Sequence, residues 1–322
     1  MGRQRFSVLA TTVLLASMIA ASARGAPMLV GSYSKGTIDR YESTTGQLLG
    51  TFVPNGSGGM HQPTHIAIGP GGDLFVIPYS YQTPAQYRVY QYRGDTGAFV
   101  KSITNASLLS PQGMTFGPDG MLYVSSADNN RVLKFDPSSG AFLGTFATTP
   151  TPIDMAFGPD HNLYVANFAT SGSGASTISR INGTSGAVMG TFGSAQLNTA
   201  YAVAFGPDNL LYVQSQYEHK IQKFDALSGT FLGTFYAGSY PYNPSGGMAW
   251  GPDGKLYTGN LTGGAMHDGV WRFTAAGAFD GYVIDGNGNF QATGIVFIPE
   301  PSAALMFMTI ASAGILGRRR SR

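Results

Sequence analysis

One motif recurs along this chain: a Gly-Pro turn followed at once by an apolar triplet. It appears as GPGGDLFV from Gly69, GPDGMLYV from Gly117, GPDHNLYV from Gly158, GPDNLLYV from Gly206 and GPDGKLYT from Gly251. Successive copies lie 48, 41, 48 and 45 residues apart. A second motif alternates with it, as in FDPSSGAFLGTF from Phe135 and FDALSGTFLGTF from Phe224, and its turn glycines are Gly46, Gly97, Gly140, Gly186, Gly229 and Gly277. Repeats of this length, each holding several short strands, cannot bury their apolar faces singly and must pack against one another.

Each unit resolves into four strands. In one copy the first is Gly113 to Phe116, closed by Gly117-Pro118-Asp119-Gly120, which has the proline and glycine positions of a type I turn. LYVSS from Leu122, RVLKF from Arg131 and AFLGTF from Ala141 supply the other three. The first strands carry a large residue at one position (Ile68, Phe116, Phe157, Phe205, Trp250, Phe297) and a small or β-branched one just before it (Ala67, Thr115, Ala156, Ala204, Ala249, Val296). Strand side chains alternate faces, so every sheet has a bulky and a shallow face, and bulky fits shallow around an axis.

The ends predict how the ring closes. From Met28 the chain supplies second, third and fourth strands with no first, and Thr293 to Pro299 supplies a first strand with no successors. Together they complete one blade. The expectation is an all-β, six-bladed β-propeller over residues 28–298, whose 271 residues divide into about 45 per blade, closed by the last strand pairing with the N-terminal strands. The unit PQGMTFGPDGMLYVSSADNNRVLKFD, Pro111 to Asp136, resembles the NHL repeat and, more broadly, the TolB-like and gluconolactonase-like six-bladed propellers.

Outside the repeat, residues 1–23 have the basic start, apolar middle and small-residue end of a secretory signal peptide, with cleavage expected after Ala23. At the other end, Pro299-Glu300-Pro301 precedes an uncharged stretch, residues 302–317, and then Arg318, Arg319 and Arg320. As a helix that stretch is about 24 Å long, against roughly 30 Å of bilayer hydrocarbon, and the arginines after it match a cytoplasmic flank. Residues 299–322 resemble the PEP-CTERM sorting tail of Gram-negative bacteria. The resemblance implies transient inner-membrane insertion through a transmembrane helix, processing by an exosortase, and delivery to the cell surface or the extracellular matrix of an exopolysaccharide-making bacterium.

Composition removes several function classes. The chain has no cysteine, which excludes disulfides, thiolate zinc sites and a cysteine nucleophile. Its formal charge of +2 is concentrated at the ends: without six terminal arginines and Glu300, 13 basic and 16 acidic residues remain, a net of −3. That body is no partner for nucleic acid. No phosphate-binding loop or Gly-x-Ser-x-Gly elbow occurs.

By fold analogy, chemistry is expected where the central channel meets the loops entering the first strands. The residues two before the small ones are His65, Gly113, Asp154, Ala202, Gly247 and Gly294, so His65 and Asp154 are the candidate ligand or metal residues. The gluconolactonase resemblance implies a divalent metal held by Glu, Asn and Asp that activates water. The three glutamates are Glu42, Glu218 and Glu300, none of them at the channel positions, and His61, His161, His219 and His267 fall in loops or turns. Tyr79, Tyr81 and Tyr87 in one loop, and Tyr236, Tyr240 and Tyr242 in another, suit sugar or protein binding. The expected function is an exported, non-enzymatic binding or scaffold propeller with an exopolysaccharide or surface-protein ligand. The alternative is a metal-dependent lactonase.

Overall fold

The computed structural model describes residues 26–79, 84–169, 175–238, 246–261, 268–286 and 288–298, without the side chain of residue 86. It is a ring of six four-stranded antiparallel sheets, a six-bladed β-propeller as the repeat predicts. The first blade joins Ala292–Phe297, Pro27–Ser32, Thr37–Glu42 and Leu48–Val53 in that order, so the last strand does close the ring. Met28 pairs with Phe297, Leu29 with Val296 and Val30 with Ile295. The second to sixth blades follow in sequence over 63–103, 111–148, 152–192, 200–237 and 248–285.

Six apolar clusters fill the described core, one at each seam between neighbouring blades. Alternation along the second strand explains this: Leu122 and Val124 face the blade before, and Tyr123 between them faces the blade after. At five seams an inner-strand aromatic meets an aromatic of the previous blade edge-on. Ring centroids are 5.0 Å apart for Phe75–Phe116, Tyr123–Phe157, Tyr212–Trp250 and Tyr257–Phe297, and 5.2 Å for Tyr164–Phe205. Each such pair adds about 0.5–1.5 kcal/mol beyond its buried area.

The Gly-Pro turns hold the first two strands together. Gly120 N–H donates to the Gly117 carbonyl at 2.9 Å, with Gly120 at φ +75°, a conformation open to glycine at no steric cost. Four of these turns also carry an aspartate that accepts from a buried tyrosine hydroxyl: Tyr123–Asp119, Tyr164–Asp160, Tyr212–Asp208 and Tyr257–Asp253, all within 3.0 Å. In the second blade the aspartate is Gly71 and the tyrosine is Phe75, so no hydroxyl is stranded.

Topology gives the disc two different faces. The Gly-Pro turns and the hairpins between third and fourth strands share one face. The connections between second and third strands, and those between blades, share the other. Both ends of the ring leave from the turn face, where Ile298 N–H donates to the Pro27 carbonyl at 2.9 Å. The expected signal segment 1–23, Pro299, Glu300, Pro301, the helix over 302–317, the arginines Arg318, Arg319 and Arg320, and Tyr81, Tyr240, Tyr242 and His267 lie outside the described residues. Among the described residues no helix is long and apolar enough to cross a membrane.

Candidate functional site

The channel level at which His65 and Asp154 stand is built by bulges. In the inner strands Gln112 and Gly113 together oppose Ser125, Ile153 and Asp154 oppose Ala166, Tyr201 and Ala202 oppose Gln214, and Thr293 and Gly294 oppose Gly31. The second blade slips register between Pro63 and His65. A bulge bends its strand and re-aims side chains, which is how residues of an otherwise seam-facing strand reach the axis.

A strained residue precedes each of these strands. Gln62, Ser110, Thr151, Thr199 and Gln291 all have positive φ, from 34° at Thr151 to 64° at Thr199. Each of the five carbonyls accepts the N–H of a residue just past the second strand, at 2.7 Å from Tyr79 to Gln62 and 3.0 Å from Phe168 to Thr151. The left-handed region costs a non-glycine residue about 1–2 kcal/mol. Polar residues before Pro63, Pro111 and Pro152 were the available sequence signal, and nothing in it specified the left-handed corner.

At this waist His65 Nε2 donates to Asp154 Oδ1 at 3.1 Å, linking the second blade to the fourth. Oδ1 also accepts from Met155 N–H at 2.8 Å, and Oδ2 accepts from Val203 N–H of the fifth blade at 3.0 Å. The small residues at the other positions of the level make room. A Cβ on Gly113 would collide with the Ile153 carbonyl and stand 3.0 Å from Asp154 Oδ1, and one on Gly294 would stand 2.8 Å from Ile66 Cγ1.

The pair divides the channel. On the loop side, a recess of about 20 Å³ bordered by Thr64, Gln112, Tyr201 and Gly246 remains, room for about one water. On the turn side the channel widens to about 510 Å³, rimmed by Ile68, Phe116, Trp250 and Phe297. The larger volume thus lies on the opposite side of the pair from the loops that fold analogy pointed to. Met114 and Met155, which border it, are buried in two different seams and do not converge on one point.

A divalent metal does not fit here. Both Asp154 oxygens are engaged by three donors, and no group of three His, Cys, Asp or Glu side chains with metal-binding geometry occurs among the described residues. Glu42, far from the axis, closes a hairpin turn, its carboxylate accepting from the N–H and hydroxyl groups of Thr44 and Thr45. Burial alone would raise its pKa, but these hydrogen bonds outweigh burial and hold it at about 2. Glu218 accepts from Ser215 Oγ at 2.8 Å on the loop side of the fifth blade.

The tyrosines expected in loops are placed unequally. Tyr79 is exposed at the loop face and meets Tyr33 edge-on at 5.4 Å. Burial, then the nearby Asp154 and Tyr79, push the Tyr201 phenol up to about 12. Tyr87 is raised by burial and by Asp128. Tyr236 is no loop residue: the outer strand runs through Thr230–Ala237, pairing Tyr236 with Ile221, and its ring packs on Phe273 at 4.5 Å. The third strand here extends back to Lys220 and carries its partner with it. His61 Nδ1 contacts Asn55 Oδ1 on the exposed approach loop, and His161 and His219 occupy left-handed turn positions.

No family profile and no curated protein matches this chain. Solved structures match in fold. A Bacteroides caccae protein of unknown function is 16% identical over 86% of this chain and 100% of its own, with a TM-score of 0.66. The nidogen/laminin complex contains a chain 13% identical over 85% and 99%, TM-score 0.65. Virginiamycin B lyase from Staphylococcus aureus is 16% identical over 81% and 85%, TM-score 0.53. Identities this low carry the propeller fold and nothing finer.

Proposed function

We propose that this chain is an exported, surface-displayed propeller that serves as a binding or scaffold module, with its loop face as the ligand-facing side. The observation that carries the reading is the common exit of both ring ends from the turn face, at the Ile298–Pro27 hydrogen bond. A body held by either end directs its variable connections, with Tyr33 and Tyr79, away from the support. The PEP-CTERM-like tail, Pro299-Glu300-Pro301 followed by an apolar stretch and arginines, supplies the hold and its processing by an exosortase in a Gram-negative envelope. Exopolysaccharide or a surface protein is the ligand class that exposed tyrosines with hydroxyl-bearing neighbours suit.

A lactonase of the gluconolactonase kind is disfavoured because three donors already engage the Asp154 carboxylate and no third metal-ligating side chain joins it and His65 among the described residues. The test is co-sedimentation of the full chain with extracellular polysaccharide from an exosortase-encoding bacterium. Saturable pelleting that weakens on Tyr79→Ala supports the reading. Lactone hydrolysis with stoichiometric metal, lost in both His65→Ala and Asp154→Ala, overturns it.

A further inference from the structure

Eleven of the fifteen large apolar side chains exposed among the described residues lie on the six outer strands, which makes the perimeter the main apolar surface of the disc. Every blade contributes: Leu49, Val100, Leu143, Met189, Leu232 and Phe279 are each about half exposed. They cluster at one end of their strands. Leu48 pairs with Tyr41 on the same rung as Met28 and Phe297, next to the turn face, whereas the loop-side ends of the outer strands bury Val53, Ile103 and Ala147. The result is a ring of apolar side chains around the edge of the disc, at one height.

The same strands omit the usual protection of sheet edges by charge. Their 38 residues include three charged ones, Lys101, Asp280 and Asp285. Lys101 donates to the Ser138 carbonyl, and Asp280 is paired with Lys255 and Arg272 at 2.8 and 2.7 Å. What protects the backbone is a register slip between third and outer strand in every blade, which hinders strand-to-strand addition and leaves the side chains as the contact.

We propose that this perimeter is the contact surface between copies of the chain lying side by side on a support, each with its turn face toward it. The inference rests on the display reading for its orientation. Area and charge select a second copy as the occupant. One blade offers on the order of 200 Å² of exposed apolar surface, well under the roughly 800 Å² per partner of a stable interface, so a single edge-to-edge contact does not hold a dimer in solution. Tethering confines the discs to a layer, raises their effective concentration and lets several of the six edges engage at once. Four of the six outer strands, Leu48–Val53, Phe142–Thr148, Val188–Phe192 and Thr230–Ala237, carry no charge, so these strands approach one another without like-charge repulsion. A lipid surface fits less well, because the turns carrying Asp136 and Asp225 would meet it before the apolar ring does.

The test uses the closed ring, residues 26–298, whose two ends pair at Ile298 and Pro27, with a C-terminal histidine tag in place of residues 299–322, captured on a supported phosphatidylcholine bilayer containing nickel-chelating lipid. With no native cysteine, Ser34→Cys on the loop face takes donor or acceptor dye uniquely. At high density the parent should exceed random-disc energy transfer about threefold and diffuse about tenfold more slowly, while sedimenting as a monomer in solution. A variant with Leu49→Lys, Leu143→Lys, Met189→Lys and Leu232→Lys, its fold checked by its melting transition, should return to the random level. Equal behaviour of parent and variant overturns the proposal, as does a soluble oligomer indifferent to the substitutions, or parent binding to the bilayer without nickel lipid. Because the tag replaces the native tail as tether, failure of exosortase sorting leaves this outcome unchanged and is read separately.

Discussion

His65 and Asp154, 89 residues apart in sequence, meet at 3.1 Å across the propeller axis. The contact is one of three on a single carboxylate, so the aspartate ties the second, fourth and fifth blades together where the channel is narrowest. Asp154→Ala strands the Val203 N–H and the imidazole together, and should cost about 2–4 kcal/mol in urea unfolding. A cost below about 0.5 kcal/mol, the size of an ordinary surface change, would show that the waist does not depend on it.

The Tyr–Asp pairs of the turns should behave as coupled units. Asp208→Gly leaves the Tyr212 hydroxyl buried without its acceptor, and the second blade shows the natural remedy, Gly71 with Phe75. Adding Tyr212→Phe to Asp208→Gly should therefore recover about 0.5–1.5 kcal/mol in a double-mutant cycle. Additive costs in that cycle would contradict the pairing.

Asp268 is fully buried and accepts three backbone N–H groups, from Gly288 at 2.7 Å, Phe290 at 3.0 Å and Gln291 at 3.2 Å. It thereby fixes the approach to the closing strand. Asp268→Ala should raise amide hydrogen exchange selectively over 288–297, ahead of global unfolding. Uniform exchange across all six blades would argue against a role in closure.

Two hairpin carboxylates give the fold an acid limit. Hydrogen bonds outweigh burial at Glu42, and at Asp136 they come first from Ser138 and then from Ser139; both groups titrate at about 2 in the folded chain. A folded-state pKa below the unfolded one means stability that is complete above the ordinary carboxylate range and is lost as pH falls toward the folded value. The melting temperature should therefore drop between about pH 4.5 and 2, and less steeply in Glu42→Gln. An unchanged slope in that variant would remove Glu42 from the account.

Much of this was legible in the residues. The Gly-Pro spacing fixed the number of units, and the incomplete ends fixed the seam, because a strand without its neighbours must find them elsewhere in the ring. The alternation of large and small residues on the inner strands indicated seam packing, which Phe116 on Phe75 and Phe157 on Tyr123 display. Asp208 with Tyr212, against Gly71 with Phe75, was also written there, though it becomes meaningful once the hydroxyl is seen to be buried.

What the chain determined by itself was periodic: strands, turns and their order, since these follow from neighbours within a few residues. The tertiary structure alone decided what meets on the axis and what stays uncovered. His65 reaches Asp154 because bulges and left-handed corners such as Thr151 turn the inner strands inward, and the distance across a closed ring depends on all six blades at once. Leu49 and Leu143 read as ordinary strand residues, and their exposure follows from lying on the outermost strand, beyond which the sheet has no further neighbour.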